Sequence, residues 1–191
     1  MTLFKKLLLL NEHTCPWWLA YTFDNRVRRL FHDTEKILGP YVKEGMTVID
    51  IGCGMGYFSI GLAKMVGEKG LVISVDFQQN MLNVLGKRAK RADVDHRIKL
   101  HRCEPESIGI NQNVDFALTF WMVHEIPRRK EFFEQIFSIL KRTGKYLLVE
   151  PKVHVSHARF GETIKDSMQK GFKMLDNPQI SLSRAALFGK L

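Results

Sequence analysis

Cysteine is scarce in this sequence, and long apolar runs are absent. The 191 residues include three cysteines, Cys15, Cys53 and Cys103, which form neither a close pair nor a cluster with histidine. Such an odd, widely spaced set indicates neither a disulfide framework nor a zinc site, so we expect no metal and a reducing, cytoplasmic location. No apolar stretch approaches the roughly 20 residues that span a bilayer, and residues 7–10 are too few for the core of a signal peptide. We therefore expect no membrane segment.

Negative charge is also in deficit. The chain carries 29 lysines and arginines against 20 aspartates and glutamates, which gives a net charge of +9. The densest basic group is predicted on and just after the solvent face of one helix, and it comprises Lys87, Arg88, Lys90, Arg91 and Arg97. No aromatic side chains interleave with these charges to stack on bases, which disfavours a nucleic-acid partner. The positive field still favours an anionic substrate.

Apolar periodicity predicts an α/β fold. From residue 47 onward, short β-branched runs alternate with helical patterns, as in a parallel sheet that is covered by helices on both faces. The pattern predicts strands at 47–51, 71–75, 98–101, 115–120 and 146–150, and helices at 57–66, around 81–89 and at 129–140. Gly144 stands where the last of these helices would have its C-cap.

The two ends of the chain are less regular. Residues 25–38 carry a helical stripe, which Gly39 and Pro40 end. After residue 151 we expect a helix at 157–170 and two strands at 172–175 and 185–188, separated by turn residues. The predicted architecture is an open, doubly wound sheet of five or more strands, preceded by a helical segment.

Glycines at alternate positions form the turn between the first strand and its helix. Gly52, Gly54 and Gly56 allow a sharp turn in which a ligand lies against bare backbone at the carboxyl edge of the sheet. Asp76 ends the second strand, where its carboxylate can accept both hydroxyls of a ribose. Tyr57 occupies the position at which a dinucleotide fold needs its third glycine, so the match to a pyrophosphate-binding turn fails. The residues thus favour a nucleoside ligand over a dinucleotide.

Four ordered motifs carry a resemblance to a known family. Residues 48–59, Val-Ile-Asp-Ile-Gly-Cys-Gly-Met-Gly-Tyr-Phe-Ser, resemble the first motif of class I S-adenosylmethionine (SAM)-dependent methyltransferases, and residues 72–76 resemble the second, acidic motif. Residues 103–108, Cys-Glu-Pro-Glu-Ser-Ile, stand where many members have Gly-Asp-Ala-Glu-x-Leu. Residues 140–149 are similar to the Leu-Lys-Pro-Gly-Gly turn and the fifth strand of that family.

The resemblance covers residues 37–191 and implies a fold, a cofactor and a site. The implied fold is Rossmann-like, with a seven-stranded, mostly parallel sheet whose last strand is antiparallel. The implied cofactor is SAM, with Phe77 beside the adenine and Glu104 accepting from its amino group. We expect a cofactor site formed by Asp50, Gly52, Cys53, Gly54, Gly56, Tyr57, Asp76, Phe77, Met81, Cys103, Glu104, Pro105 and Trp121. Residues 1–36 are then an N-terminal helical or lid segment, and residues 37–191 are the SAM-binding domain.

Two groups outside these motifs are candidates for the acceptor side. His124 and Glu125 follow the fourth strand, where His124 can act as a base and Glu125 can orient it or bind a cationic substrate. Alternatively, His124 caps the loop and Glu125 is solvated or pairs with a neighbouring arginine. The aromatic cluster of Trp17, Trp18 and Tyr21 either forms a lid over the substrate or packs the N-terminal segment onto the sheet.

The predicted function is methyl transfer from SAM to an unidentified small-molecule acceptor. No Asn/Asp-Pro-Pro-Tyr/Phe motif is present for the exocyclic amines of bases, and no Pro-Cys pair is present for cytosine carbon. Two alternatives stay open. The positive charge motivates an RNA methyltransferase, and the lack of a certain base motivates a regulatory module that binds a nucleotide without catalysis.

Overall fold

The sheet has seven strands in a computed structural model that describes residues 31–190. The strands are β1 (Thr47–Ile51), β2 (Leu71–Asp76), β3 (Ile98–Arg102), β4 (Val114–Phe120), β5 (Leu140–Pro151), β6 (Phe172–Asp176) and β7 (Ser183–Lys190). Their order is β3-β2-β1-β4-β5-β7-β6, and β7 runs antiparallel to both of its neighbours. The pairs from β3 to β5 are parallel. The predicted doubly wound, Rossmann-like sheet with one antiparallel strand is confirmed.

Helices cover both faces of this sheet. They are α1 (Thr34–Leu38), α2 (Tyr57–Val66), α3 (Gln79–Arg91), α4 (Arg129–Ile139) and α5 (His157–Met168), with short 3-10 turns at Asp95–Arg97 and Val123–Glu125. Val48 of β1 packs with Leu62 of α2 and Leu85 of α3, whereas the adjacent Ile49 packs with Phe133 of α4 on the opposite face. Strands that are buried on both faces are apolar throughout, which is why their positions were predictable from sequence.

The predicted end of the fourth helix is wrong. Leu140 already has extended backbone angles, with φ −74° and ψ 131°, and it pairs with Val114 as the first residue of β5. Residues 141–144 then bulge from the ladder, because the next pair joins Phe116 to Lys145. Gly144 therefore lies in a β-bulge and does not cap a helix. Leu140 is buried as a strand residue, so its apolar side chain alone did not distinguish a strand from the helix that the spacing predicted.

The helical stripe over residues 25–38 predicts one continuous helix, and this is wrong in the part that the structure describes, because residues 32 and 33 are not helical. Asp33 is extended, and its carboxylate accepts hydrogen bonds from the backbone N–H groups of Glu35 (3.0 Å) and Lys36 (3.2 Å). Such an N-cap starts a new helix at Thr34. The predicted boundary between the N-terminal segment (residues 1–36) and the SAM-binding domain (residues 37–191) falls inside α1. This helix therefore belongs to both predicted segments. Across residues 31–190, no helix is long and apolar enough to cross a membrane.

The basic group predicted on a solvent face is only partly on that face. Lys87, Lys90 and Arg91 are exposed. Arg88 instead donates to the carbonyl oxygen of Met55 at 3.2 Å, and thereby ties α3 to the glycine turn. Arg97 forms an ion pair with Glu68 and donates to a carbonyl of α2. Part of this positive charge therefore stabilises the fold.

Candidate functional site

A cavity of about 320 Å³ opens at the carboxyl edge of the sheet, beside the glycine turn. Its walls come from the ends of β1 and β2, the loop after β3, the segment after β4 and the first turns of α4. Of the residues that the sequence predicted for the cofactor, the cavity is lined by Gly52, Asp76, Phe77, Cys103, Glu104 and Pro105. These residues come from three separate motifs, and the parallel sheet brings them to one place.

Asp76 is the buried polar group of this cavity. One carboxylate oxygen accepts the N–H of Gly54 and the other accepts the N–H of Gln78, both at 2.9 Å. Burial raises the pKa of Asp76, while the hydrogen bonds from the backbone oppose that rise. Each carboxylate oxygen has a second lone pair for a further donor. Asp76 thus fixes the glycine turn against β2 and can still accept hydrogen bonds from a ligand.

The turn at Gly54 exposes bare backbone. Its φ is +53°, a region that favours glycine. A Cβ built on Gly54 would meet no atom within 4 Å, so the backbone there borders open space. A ligand can therefore approach the main chain directly beside the carboxylate of Asp76.

Asp50 lies beneath the turn, where it anchors a chain of buried hydrogen bonds. The Ser59 hydroxyl donates to Asp50 at 2.6 Å, and the Ser74 hydroxyl donates to Ser59 at 2.9 Å. All three residues are buried, and they join β1, α2 and β2. Asp50 does not line the cavity. Its position supports the turn from inside the domain.

We expect Ser59→Ala to lower the free energy of unfolding by about 1–3 kcal/mol, because a buried carboxylate and a buried hydroxyl each lose a partner. Denaturant unfolding measures this change. Ser138→Ala is the matched control, since the Ser138 hydroxyl is exposed and donates only to a carbonyl of its own helix. Equal stability of the two variants would show that the buried network contributes nothing.

Other predicted cofactor residues also lie outside the cavity lining. Cys53 is buried in the turn, and burial with the nearby Asp50 and Asp76 carboxylates raises the pKa of its thiol. The Tyr57 hydroxyl donates to the carbonyl oxygen of His32 at 2.6 Å, and Met81 is buried at the start of α3. Gly54 and Gly56 shape the turn.

Cys103, in contrast, lines the cavity. Burial raises the pKa of its thiol to about 11, so this side chain contributes a neutral thiol to the wall.

Trp121 points toward β7. Its φ is +63°, and its indole N–H donates to the Ser183 hydroxyl at 2.9 Å. The ring packs edge-on against His32 and beside Phe120. The next residue, Met122, lines the cavity instead.

The loop after β3 is fastened to α4. The Gln135 side chain accepts the N–H of Ile108 at 2.8 Å and donates to the carbonyl oxygen of Glu106 at 3.0 Å. Arg128 forms an ion pair with Glu106 across the same boundary. Sequence reasoning did not assign Gln135 or Arg128 to the cavity, because only the folded chain brings them there.

His124 is held by a carboxylate that sequence reasoning missed. Its ring Nδ1 lies 2.9 Å from Glu150, and its backbone N–H donates to the same oxygen at 2.9 Å. Glu150 ends the apolar run of β5, a strand-end acid like Asp76, and this was the available signal. Glu125 lies in the same 3-10 turn as His124, but the structure assigns the orienting contact to Glu150. The neighbouring arginines pair elsewhere, Arg128 with Glu106 and Arg129 with Asp166.

The aromatic residues Trp17, Trp18 and Tyr21 lie outside the described residues. Within residues 31–190, histidine, cysteine and acidic side chains form no group of three that could hold a metal ion.

In comparisons with known proteins, this chain resembles a methyltransferase family and individual methyltransferases. Residues 42–181 match a family model described as a methyltransferase domain. Demethylmenaquinone methyltransferase from Lactobacillus johnsonii is 30% identical over 110 residues, which is 57% of this chain and 45% of that protein. The chain thus spans about half the length of the curated relatives it matches.

Solved structures share the fold. A SAM-dependent methyltransferase from Aquifex aeolicus aligns with a TM-score of 0.82 at 24% identity, covering 92% of this chain and 98% of that one. A SAM-dependent O-methyltransferase from Thermotoga maritima aligns with a TM-score of 0.67 at 19% identity, covering 83% and 64%. Since the family model spans most of the chain, the protein belongs to the methyltransferase-domain family and has the fold of class I SAM-dependent methyltransferases.

Proposed function

We propose that this protein transfers a methyl group from SAM to a small-molecule acceptor. The observation that carries the proposal is the buried carboxylate of Asp76 beside the bare backbone of Gly54, at the edge of a cavity of about 320 Å³. A carboxylate in this position suits the two hydroxyls of a ribose, because it accepts hydrogen bonds and has lone pairs left for them. The volume falls at the lower end of the range for ligand pockets.

The residues present fit a nucleoside cofactor. Asp76 would hold the ribose, and the adjacent wall of Phe77, Cys103, Glu104 and Pro105 would hold the adenine. Bound SAM supplies an electrophilic methyl carbon on a positively charged sulfur. The protein's own contribution is then to orient the acceptor toward that carbon and to exclude water, an effect that contributes roughly 7–11 kcal/mol in well-oriented reactions.

The relatives support a ring-bearing, mostly apolar acceptor. Two of these relatives are named for demethylmenaquinone as the acceptor. In this chain the cavity continues from the ribose-binding end toward Met122, Ile126 and Phe132, which form an apolar part of the wall beside the charged Arg128 and Glu131. The apolar part of this wall suits an aromatic ring. A cytoplasmic location stays a prediction.

Calorimetric titration tests the cofactor, and methyl transfer tests the reaction. We expect saturable binding of SAM and S-adenosylhomocysteine, and no binding of NAD. With radiolabelled SAM, we expect label to enter 1,4-dihydroxynaphthalene or a component of a metabolite extract. Tight, steeply salt-dependent binding of RNA with label transfer to RNA would instead identify the alternative acceptor. Absence of both SAM binding and label transfer would overturn the proposed function.

A further inference from the structure

Glu150 is a buried carboxylate surrounded by donors. It is 1% exposed and lies near the carboxyl end of β5. One oxygen accepts the N–H of Val123 at 3.1 Å, and the other accepts both the N–H and the ring Nδ1–H of His124 at 2.9 Å. Burial of such a group is costly unless its hydrogen bonds are made. Three donors therefore converge on this carboxylate, and the ring of His124 supplies one of them.

The contact with Glu150 fixes the tautomer of His124. Because a carboxylate accepts and does not donate, Nδ1 carries the proton, and in the neutral ring Nε2 then has a free lone pair. Within the described residues, Nε2 makes no hydrogen bond and is not sealed from solvent, since the side chain is 17% exposed. The orientation of the ring is therefore set at one nitrogen while the other stays available.

Further contacts hold the same turn. Arg159 donates to the carbonyl oxygen of His124 at 3.1 Å. The ring of His154 lies parallel to that of His124, with 10° between the planes and 5.9 Å between the centroids. These contacts restrict the turn and one face of the imidazole, which is the arrangement required of a preorganised base.

His124 lies on the same edge of the sheet as the cofactor cavity. Met122 and Ile126, two residues before and after it in the chain, line the cavity, whereas His124 itself is not one of the lining residues. The turn that carries it follows β4, and β4 pairs directly with β1, the strand that leads into the glycine turn. Along this edge of the sheet, His124 therefore lies near the ends of β4 and β5, and Asp76 lies at the end of β2.

We propose that His124 is the base that removes a proton from the acceptor, and that Glu150 is its positioning residue; this inference rests on the proposed function. The acceptor oxygen, or an acidic carbon, forms a bond to the methyl carbon while the carbon–sulfur bond breaks and leaves its electron pair on sulfur. The acceptor's proton goes to Nε2, and the imidazolium that forms is stabilised by the Glu150 carboxylate. The substrate class is therefore a compound with a hydroxyl or an acidic C–H. A neutral amine attacks through its own lone pair and does not require such a base.

The first arm of the test measures the tautomer without any acceptor. Long-range ¹H–¹⁵N spectra of the ¹⁵N-histidine-labelled protein report which ring nitrogen is protonated, and His124→Asn assigns the signal. We expect an Nδ1–H tautomer in the wild-type protein and a mixture of the two tautomers in Glu150→Gln, because the new amide can either accept from or donate to Nδ1. A wild-type ring with its proton on Nε2 would overturn the proposal.

The second arm measures turnover with 1,4-dihydroxynaphthalene and, in parallel, with the labelled extract. For Glu150→Gln we expect kcat at pH 7 to fall by roughly 10²- to 10⁴-fold, with KM and the SAM affinity within about 3-fold, and with partial recovery at high pH as the acceptor ionises. Glu150→Asp should restore part of the rate. Glu162→Gln is the matched control, since Glu162 is exposed on α5 and lies outside the site.

The two arms separate the possible failures. A Glu150→Gln variant that loses SAM affinity and thermal stability, with the same loss of rate at every pH, would show that Glu150 only supports the turn. Label found solely in N-methylated products would overturn the assigned substrate class. Failure of the proposed function is distinct, because it appears in the wild-type protein as absence of SAM binding and label transfer.

Discussion

Replacement of Asp76 by asparagine is expected to weaken SAM binding by about 2–3 kcal/mol, which is roughly a 30- to 160-fold rise in Kd. The charge is lost, and with it the charge-assisted hydrogen bonds to the ribose. In the wild-type protein the N–H groups of Gly54 and Gln78 each donate to one carboxylate oxygen of Asp76. In the asparagine variant the amide nitrogen faces one of these two N–H groups and cannot accept from it. Calorimetric titration measures the change. Asp95→Asn, at an exposed position, is the matched control and should bind like the wild-type protein.

The same carboxylate predicts a pH dependence. Burial raises the pKa of Asp76, so its protonation begins at a higher pH than that of an exposed aspartate. The protonated carboxyl lacks the charge that strengthens the ribose contacts, and SAM affinity should therefore fall as the pH is lowered toward this raised pKa. Asp76→Asn should remove that dependence. Equal affinity of Asp76→Asn and Asp95→Asn at all pH values would contradict the ribose assignment.

Gly56→Ala is expected to lower the free energy of unfolding by about 2–5 kcal/mol, from the sum of backbone strain and overpacking. Gly56 has a φ of +87° at the start of α2. A Cβ there would lie 2.0 Å from Cδ1 and 2.9 Å from Cγ of Leu85, which is fully buried under the turn. Denaturant unfolding with a fixed m value measures the loss.

Gly161→Ala provides the control for this glycine. Gly161 lies inside α5, and a Cβ there would meet nothing within 4 Å. The substitution should leave stability unchanged or raise it by about 0.5–1 kcal/mol, because alanine favours the helix. If both glycine variants were equally stable, the close packing of the turn on Leu85 would be wrong.

Much of the fold could be predicted from the sequence, because β1, β2 and β4 are buried on both faces and are therefore apolar throughout. Positions where helix and strand compete for the same residue were harder to predict. Leu140 fits the apolar stripe of α4 equally well as a helical residue or a strand residue, and its pairing with Val114 depends on a segment that is distant in the chain. Asp33 interrupts a helical stripe by capping α1, an effect of one side chain on two backbone donors.

Cavity residues were predictable where a sequence motif supplies them, and contacts were harder to predict where a side chain reaches across the sheet. Asp76 was predicted from its place at a strand end next to the glycine turn. Glu150 also stands at a strand end, but its contact with His124 follows from the pairing of β4 with β5, in which Phe120 lies opposite Val149. The direction of Trp121 depends on its positive φ, which no pattern in the sequence reports.

The most direct measurement is a crystal structure of the protein with S-adenosylhomocysteine. We predict the nucleoside in the cavity of about 320 Å³, with its ribose hydroxyls hydrogen-bonded to the Asp76 carboxylate and its adenine beside Phe77. A nucleoside bound elsewhere, or a cavity that side chains fill while the ligand stays in solution, would contradict the account.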